Sequence, residues 1–264
     1  MIDQPALGYW RVVFSNPPLN LFNQKTMEEL ETLTARLEAD PETRVVVFES
    51  ADPDFFMAHL DVTDRFDQTP RASGLPPWPD VTLRLAQAPF VSIAKVRGRA
   101  RGVGSELAQA FDMRFASREN AIFCQIEVPT GLMPGGGGLE RLPLLIGRAR
   151  AIEAIIGGAD FSADLAERYG WINRALPDAD LDGFVDALAR RIASYDRPAI
   201  ASAKSVINAY GGIPRAEDLQ ATQTKFFDML SWPTAQTRIA GLFAQGFSTR
   251  GDLEMNLGAR LGAQ

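Results

Sequence analysis

The sequence predicts an α/β chain in which βαβ-type units come first and a helical segment closes the C-terminal end. Three observations carry this expectation. Two short β-branched runs, YWRVVFS (9–15) and RVVVFES (44–50), flank a stretch with Met27, Leu30, Thr34 and Leu37 at helical spacing and Asn23 as its N-cap. A strand, a helix and a strand in close succession describe a right-handed βαβ unit in a largely parallel sheet. The pattern repeats at FVSIAKVRG (90–98), a strand that ends on glycine, with GVGSELAQA (102–110) continuing as a helix. From residue 178 onward the periodicity becomes helical.

The remaining elements follow in order. Residues 66–80 hold Pro70, Pro76, Pro77 and Pro79 and read as an irregular loop, a common site for substrate-facing walls. DMRFAS (112–117) and INRAL (172–176) are further strands. Leu181, Phe184, Val185, Leu188 and Ile192 form one apolar helical face. After Asp196-Arg197-Pro198, three or four more amphipathic helices carry Phe226, Phe227, Leu230, Leu242, Phe243 and Phe247. Such large aromatics must cover the core or meet another subunit. The expected division is therefore an α/β core over 1–195 and a helical segment over 196–264.

Composition narrows the function. The chain has 264 residues, a net charge of −6 and a pI near 5.0. No Lys/Arg-rich stripe is present, which argues against nucleic acid as a partner. Cys124 is the only cysteine and His59 the only histidine. A cysteine-based zinc site, a multi-histidine metal site and an intrachain disulfide are excluded, and Ser-His-Asp or Cys-His catalysis would have to use His59. No run approaches the ~18–20 apolar residues of a membrane span. The opening MIDQPALGYW lacks a basic and an apolar leader region, so a cytoplasmic protein is expected.

Chemistry concentrates in GRARGVGSELAQAFD (98–112), a strand, a glycine-rich turn and a helix entrance. Unpaired N–H groups at such an entrance suit a phosphate or a developing oxyanion. Gly98, Gly102 and Gly104 also fit the G-x-x-x-G-x-G turn of short-chain dehydrogenases. That turn belongs after the first strand of its fold, however, and no Tyr-x-x-x-Lys is present. The surroundings point elsewhere. NPPLNLFN (16–23), FMAHLD (56–61), residues 98–112 and FCQIEVPTGLMPGGGG (123–138) stand in register with four motifs of one family. On these segments the chain resembles the enoyl-CoA hydratase/isomerase (crotonase) superfamily over nearly its whole length.

The resemblance implies a crotonase-like spiral of βαβ-type units, and trimers, often paired into hexamers, with the C-terminal segment at the interface. It implies an acyl-CoA thioester as substrate, with coenzyme A part of that substrate and no separate cofactor or metal. The backbone N–H groups of Leu60 and Val103 would form the oxyanion hole. Glu106 and Glu127 would be the catalytic carboxylates, Glu127 the main proton donor and acceptor and Glu106 the group that orients or deprotonates water. Adding water across a double bond needs both a base and an acid, so hydration of a 2-enoyl-CoA to a 3-hydroxyacyl-CoA is the leading expectation. An enoyl-CoA isomerase, an acyl-CoA thioester hydrolase and a CoA-binding non-enzyme are the alternatives.

Substrate contacts are expected from Pro18, Leu19, Ala58, His59, Asp61 and Gly102. Trp78 would wall the acyl pocket or anchor its loop. Lys25, Arg65, Lys204 or Lys225 could meet the CoA phosphates. Four residues depart from the family pattern, Ile126 among them where proline is usual. His59 and Cys124 stand where glycine is usual, and Val103 replaces the middle glycine of the triplet. His59 would sit outside the reacting centre or reach into it as a base near neutral pH. Cys124 reads as a buried small residue.

Overall fold

A computed structural model of the chain describes residues 1–262. The N-terminal hairpin pairs β1 (Ile2–Ala6) with β2 (Tyr9–Phe14). Helix α1 (Gln24–Ala39) follows, and the Asn23 side chain accepts from the Thr26 amide at 2.9 Å, as the N-cap expectation requires. Next come β3 (Val45–Ser50), β4 (Phe55–Met57), α2 (Pro77–Gln87), β5 (Val91–Val96), β6 (Arg99–Arg101) and α3 (Val103–Ala110). The series continues with β7 (Met113–Ser117), β8 (Ile122–Cys124), α4 (Gly138–Ile146), α5 (Arg148–Gly157), β9 (Phe161–Ser162), α6 (Ala163–Tyr169), β10 (Arg174–Leu176) and α7 (Asp178–Ala193). The C-terminal helices are α8 (Arg197–Gly211), α9 (Ala216–Met229), α10 (Pro233–Phe243), α11 (Asp252–Met255) and α12 (Leu257–Leu261).

The strands form two sheets, ordered β1-β2-β3-β5-β7-β10 and β4-β6-β8-β9. From β3 onward the chain repeats one turn: a strand in the large sheet, a short strand in the small sheet, then a helix. β3-β4-α2, β5-β6-α3 and the β7-β8 pair with its following helices are successive turns of a spiral. The expected βαβ units are thus ββα turns, and the second sheet is the element the sequence reading lacked. Its strands span only two or three residues, too short for a period-2 pattern to register. β2, β3, β5 and β7 pair in parallel, as the crossovers demand.

The main core fills the space between the sheets and helices with Phe48, Phe90, Phe111, Phe123 and Trp171 among its largest members. A second cluster lies across the large sheet, where Leu181, Val185, Ala189 and Ile192 of α7 cover Val45, Val47 and Ile93. Phe226, Leu242 and Phe247 of the C-terminal segment are buried within the chain itself. The expected irregular stretch 66–80 ends early, because α2 begins at Pro77. Proline suits that first helical position, since the amide it lacks would be unpaired there anyway. No helix among the described residues is long and apolar enough to cross a membrane.

Lys204 corrects an expectation. Its buried ammonium donates to Leu85 O at 3.1 Å, Phe90 O at 2.8 Å and Asp112 Oδ2 at 2.8 Å, tying α8 to the core rather than meeting CoA phosphates. Burial pulls its pKa down, against the attraction of Asp112, and burial likewise raises that of Asp112. Removing one member of such a pair strands the other. Lys204→Met is expected to lower stability by about 3–5 kcal/mol in urea denaturation, and Asp112→Asn added to it should recover part of the loss.

Candidate functional site

The small sheet delivers the site. β4, β6 and β8 are parallel neighbours, each about 4.8 Å from the next, and their C-terminal ends lead into Ala58–Leu60, Gly102–Val103 and Gln125–Glu127. Segments distant in sequence therefore emerge side by side. Leu60, Gly102, Val103, Glu106 and Glu127 line one cavity of about 810 Å³, measured out to its mouth. Phe22, Phe66, Trp78, Leu132, Phe226 and Phe227 make its walls largely apolar.

Main-chain groups around the two expected oxyanion donors are hydrogen-bonded within the fold. Phe22 N donates to His59 O at 2.9 Å and Asp61 N to Phe22 O at 2.8 Å. Gly102 N donates to Cys124 O at 3.0 Å, and Glu106 N closes the first turn of α3 on Gly102 O. Among the described residues, the amides of Leu60 and Val103 have no protein acceptor. Val103 is the first residue of α3, so its N–H has no partner four residues back in the helix.

Glycine is needed at two positions of the Gly102–Gly104 run and not at the third. Gly102 has φ +49°, and a Cβ there would lie 2.8 Å from Glu127 Oε1. At Gly104 a Cβ would lie 2.4 Å from Met57 O, so this glycine lets α3 rest against β4. The Val103 side chain joins the cavity wall and leaves its own amide in place.

Both carboxylates are buried. Glu106 Oε1 accepts from the amides of Gly136 at 2.8 Å and Gly138 at 2.9 Å. Burial raises its pKa from 4.5 to about 7, although those two amides pull the other way. Glu127 is raised well above the ordinary carboxylate range, first by burial and then by the charge of Glu106. Its Oε2 accepts from Gln125 Nε2 at 3.3 Å, and Gln125 in turn meets Gln109. The Glu127 carbonyl accepts from Thr130 and Leu132, which fixes the turn that carries it.

Trp78 combines the two roles expected for it. Its ring lines the cavity while its indole N–H donates to Gly136 O at 2.9 Å, bracing the loop that binds Glu106. Arg141 donates to the same carbonyl at 3.1 Å, and burial pushes its guanidinium down to about 10. His59 lines the cavity, but its ring nitrogens face Leu60 O at 2.9 Å and Glu254 Oε1 at 3.0 Å. Neither nitrogen is left to act as a base on a substrate. Cys124 is fully buried, its thiol donating to Gly158 O, and burial raises its pKa.

Other expected contacts lie outside the cavity lining. Leu19 and Ala58 are buried in a small cluster with Phe55, Pro18 O accepts from Arg250 at 2.9 Å, and Asp61 caps its own turn through Thr63. Lys25 pairs with Glu29 and Lys225 with Asp228, whereas Arg65 is exposed with no ion pair among the described residues. The sequence reading missed Gln223, Phe226, Phe227, Ile239 and Phe247, which bring the C-terminal helices into the cavity wall. Gln223 left a signal: it interrupts the buried face formed by Leu219 and Phe226.

A sequence profile of the enoyl-CoA hydratase/isomerase family matches residues 8–241. A protein of Mycobacterium leprae named as a probable enoyl-CoA hydratase is 34% identical over 213 residues, 76% of this chain and 79% of its own. The short-chain-enoyl-CoA hydratase of Clostridium acetobutylicum is 33% identical over 206 residues, 76% of this chain and 78% of its own. A crystal structure from Streptomyces avermitilis, provisionally described as an enoyl-CoA hydratase, superposes with a TM-score of 0.94 at 43% identity, covering 100% of this chain and 96% of that one.

A carboxyl group with a raised pKa holds its proton better in the folded chain than in the unfolded one, so stability falls as pH rises above 4.5 toward the folded value. Glu106→Gln and Glu127→Gln remove this penalty while keeping an acceptor oxygen in place. Both variants are expected to melt a few degrees above the wild type at pH 8. The advantage should shrink toward pH 4.5, as thermal unfolding across that range will show.

Proposed function

We propose that this chain, which belongs to the enoyl-CoA hydratase/isomerase family, adds water across the double bond of a 2-enoyl-CoA to give a 3-hydroxyacyl-CoA. The observation that carries the reading is the pairing of two buried carboxylates with two unpartnered amides around one apolar cavity. The thioester carbonyl would accept from Leu60 N–H and Val103 N–H. These dipoles are oriented in advance, and one such donor typically contributes ~3–4 kcal/mol to the transition state.

The carboxylates divide the work through their surroundings. Glu106, held by two amides, is the easier to ionise and acts as the base; Glu127, pushed further up, keeps its proton and acts as the acid. Water loses a proton to Glu106 as its oxygen bonds to the β-carbon, and the electron pair moves through the enolate held by the two amides. The α-carbon then takes the proton of Glu127. Transfer of the Glu106 proton to Glu127, relayed by water, restores the starting state.

The fit of coenzyme A along the Pro18-Leu19 and Ala58–Asp61 segments is part of the same proposal, as is a cytoplasmic place of action. So is assembly into trimers or hexamers through the segment from 196 onward. Val206, Ile207 and Tyr210 expose apolar surface on α8, which supports such a contact. A sedimenting mass equal to one chain of 28.9 kDa would remove that part of the reading.

Crotonyl-CoA turnover, followed through the ultraviolet absorbance lost with the conjugated thioester, tests the reaction. Glu127→Gln is expected to lower kcat about 10²–10⁴-fold, and Glu106→Gln by a similar order. Survival of activity in Glu106→Gln alone would point to an isomerase, which can shuttle one proton on Glu127. The kcat/KM profile should climb through about pH 7 as Glu106 ionises, then decline where Glu127 loses its proton.

A further inference from the structure

We propose that His59 and Glu254 form a positioning clamp that sets the spacing of the two oxyanion donors, a role that rests on the hydratase reading for those donors. Glu254 lies on the short helix α11, 195 residues from His59 in sequence, yet it is tied to both donor segments. Its side chain meets His59, the residue immediately before Leu60, at 3.0 Å. Its main-chain carbonyl accepts from Arg101 Nη1 at 2.5 Å, two residues before Val103. One residue therefore holds the flanks of both amides.

The geometry around His59 fixes its orientation. Nδ1 faces a carbonyl and Nε2 a carboxylate, and both are acceptors. Each ring nitrogen therefore has a hydrogen-bond partner, one on the main chain beside the donor and one on Glu254. The pair is almost wholly shielded from solvent, with side-chain exposures of 2% and 0%. The ring lies flat on Phe247, centroids 4.1 Å apart and planes 6° apart. Glu254 Oε1 also accepts from Ser248 N at 2.7 Å.

The charged groups packed nearby reinforce the arrangement. Arg101 is fully buried and pairs with Asp160 at 2.6 Å, and α12 rests against Asp160 at Gly258, where a Cβ would lie 2.7 Å from the Asp160 amide. Burial favours the neutral form of Glu254, but the hydrogen bond and charge of His59, the Ser248 amide and the charge of Arg101 together hold its pKa below the ordinary value. Nδ1 meets the Leu60 carbonyl directly, so rotation of that backbone would break a contact of the buried ring that Glu254 holds. A simple turn needs none of this, and glycine would serve it. The histidine adds a link between the oxyanion loop and the C-terminal helices.

The test separates positioning from folding. His59→Asn keeps a donor toward Leu60 O, His59→Gln keeps one toward Glu254, and Glu254→Gln removes the charge. The readouts are kcat and KM on crotonyl-CoA, thermal unfolding, and the thioester carbonyl stretching band of bound 2,4-hexadienoyl-CoA, whose frequency falls as the oxyanion donors polarise it. Glu254→Gln and His59→Gln are expected to lower kcat about 10- to 100-fold with KM changed less than about threefold. The carbonyl band should move back toward its free value in the same variants, and His59→Asn should retain more of the shift than His59→Gln. An unmoved band in folded Glu254→Gln, with kcat unchanged or lost only in step with folded protein, overturns the clamp. A wild type that polarises the bound thioester and loses this in Glu254→Gln, yet hydrates no enoyl-CoA, keeps the clamp and rejects the hydratase reading. Absence of a band shift in the wild type rejects the clamp together with the donors it would serve.

Discussion

Residue 104 rests so closely on residue 57 that no side chain fits between them, and the rest of the site is arranged around this contact. A Cβ on Gly104 would lie 2.4 Å from Met57 O, and one on Gly98 would lie 2.4 Å from the Asp54 carbonyl carbon. The glycines bracket β6 and press it and the entrance of α3 onto β4. Leu60 and Val103 then line one cavity because the strands that precede them are adjacent and parallel. A larger residue at either position would separate the backbones before it changed any chemistry. Val103, between Gly102 and Gly104, shows that the constraint belongs to the backbone contact and not to the composition of the turn.

Burying two carboxylates beside such a contact works against stability. Each would prefer water, and ionising one raises the other. The fold offsets this with main-chain donors for Glu106 and a chain of amide side chains, Gln109 and Gln125, for Glu127. The two groups end with unequal environments, two main-chain donors on Glu106 and one side-chain donor on Glu127, the inequality on which the proposed division into base and acid rests. Trp78 and Arg141 act one step further out: both hold Gly136 O, so the amide of the same residue stays aimed at Glu106.

Much of this was legible in the sequence because its signals are local. Asn23 caps α1 as its spacing implied, the β-branched runs became β2, β3 and β5, and four motifs in register located Glu106, Glu127, Leu60 and Val103 along the chain. The small sheet was invisible for the opposite reason: Phe55–Met57, Arg99–Arg101 and Ile122–Cys124 are too short to show alternation, and their pairing is set by distant partners. Lys204 looked like a free cation because nothing near it in sequence announces Asp112, Leu85 or Phe90 as its partners. His59 was ambiguous for the same reason, since its partner is 195 residues away.

The C-terminal helices bear on this site more directly than on the core. Phe226, Phe227 and Phe247 line the cavity together with Glu106 and Glu127, and the shifts of both carboxylates arise first from burial. Water admitted by loosening these helices would lower both pKa values toward the ordinary range and erase the difference between acid and base. The amides of Leu60 and Val103 would meanwhile find water as a partner, and a solvated donor polarises a carbonyl less than a dry one. On the hydratase reading proposed above, the packing of α9 and of the 247–255 segment would be coupled to proton transfer and to oxyanion binding through the same exclusion of solvent. A change in either would be felt in both.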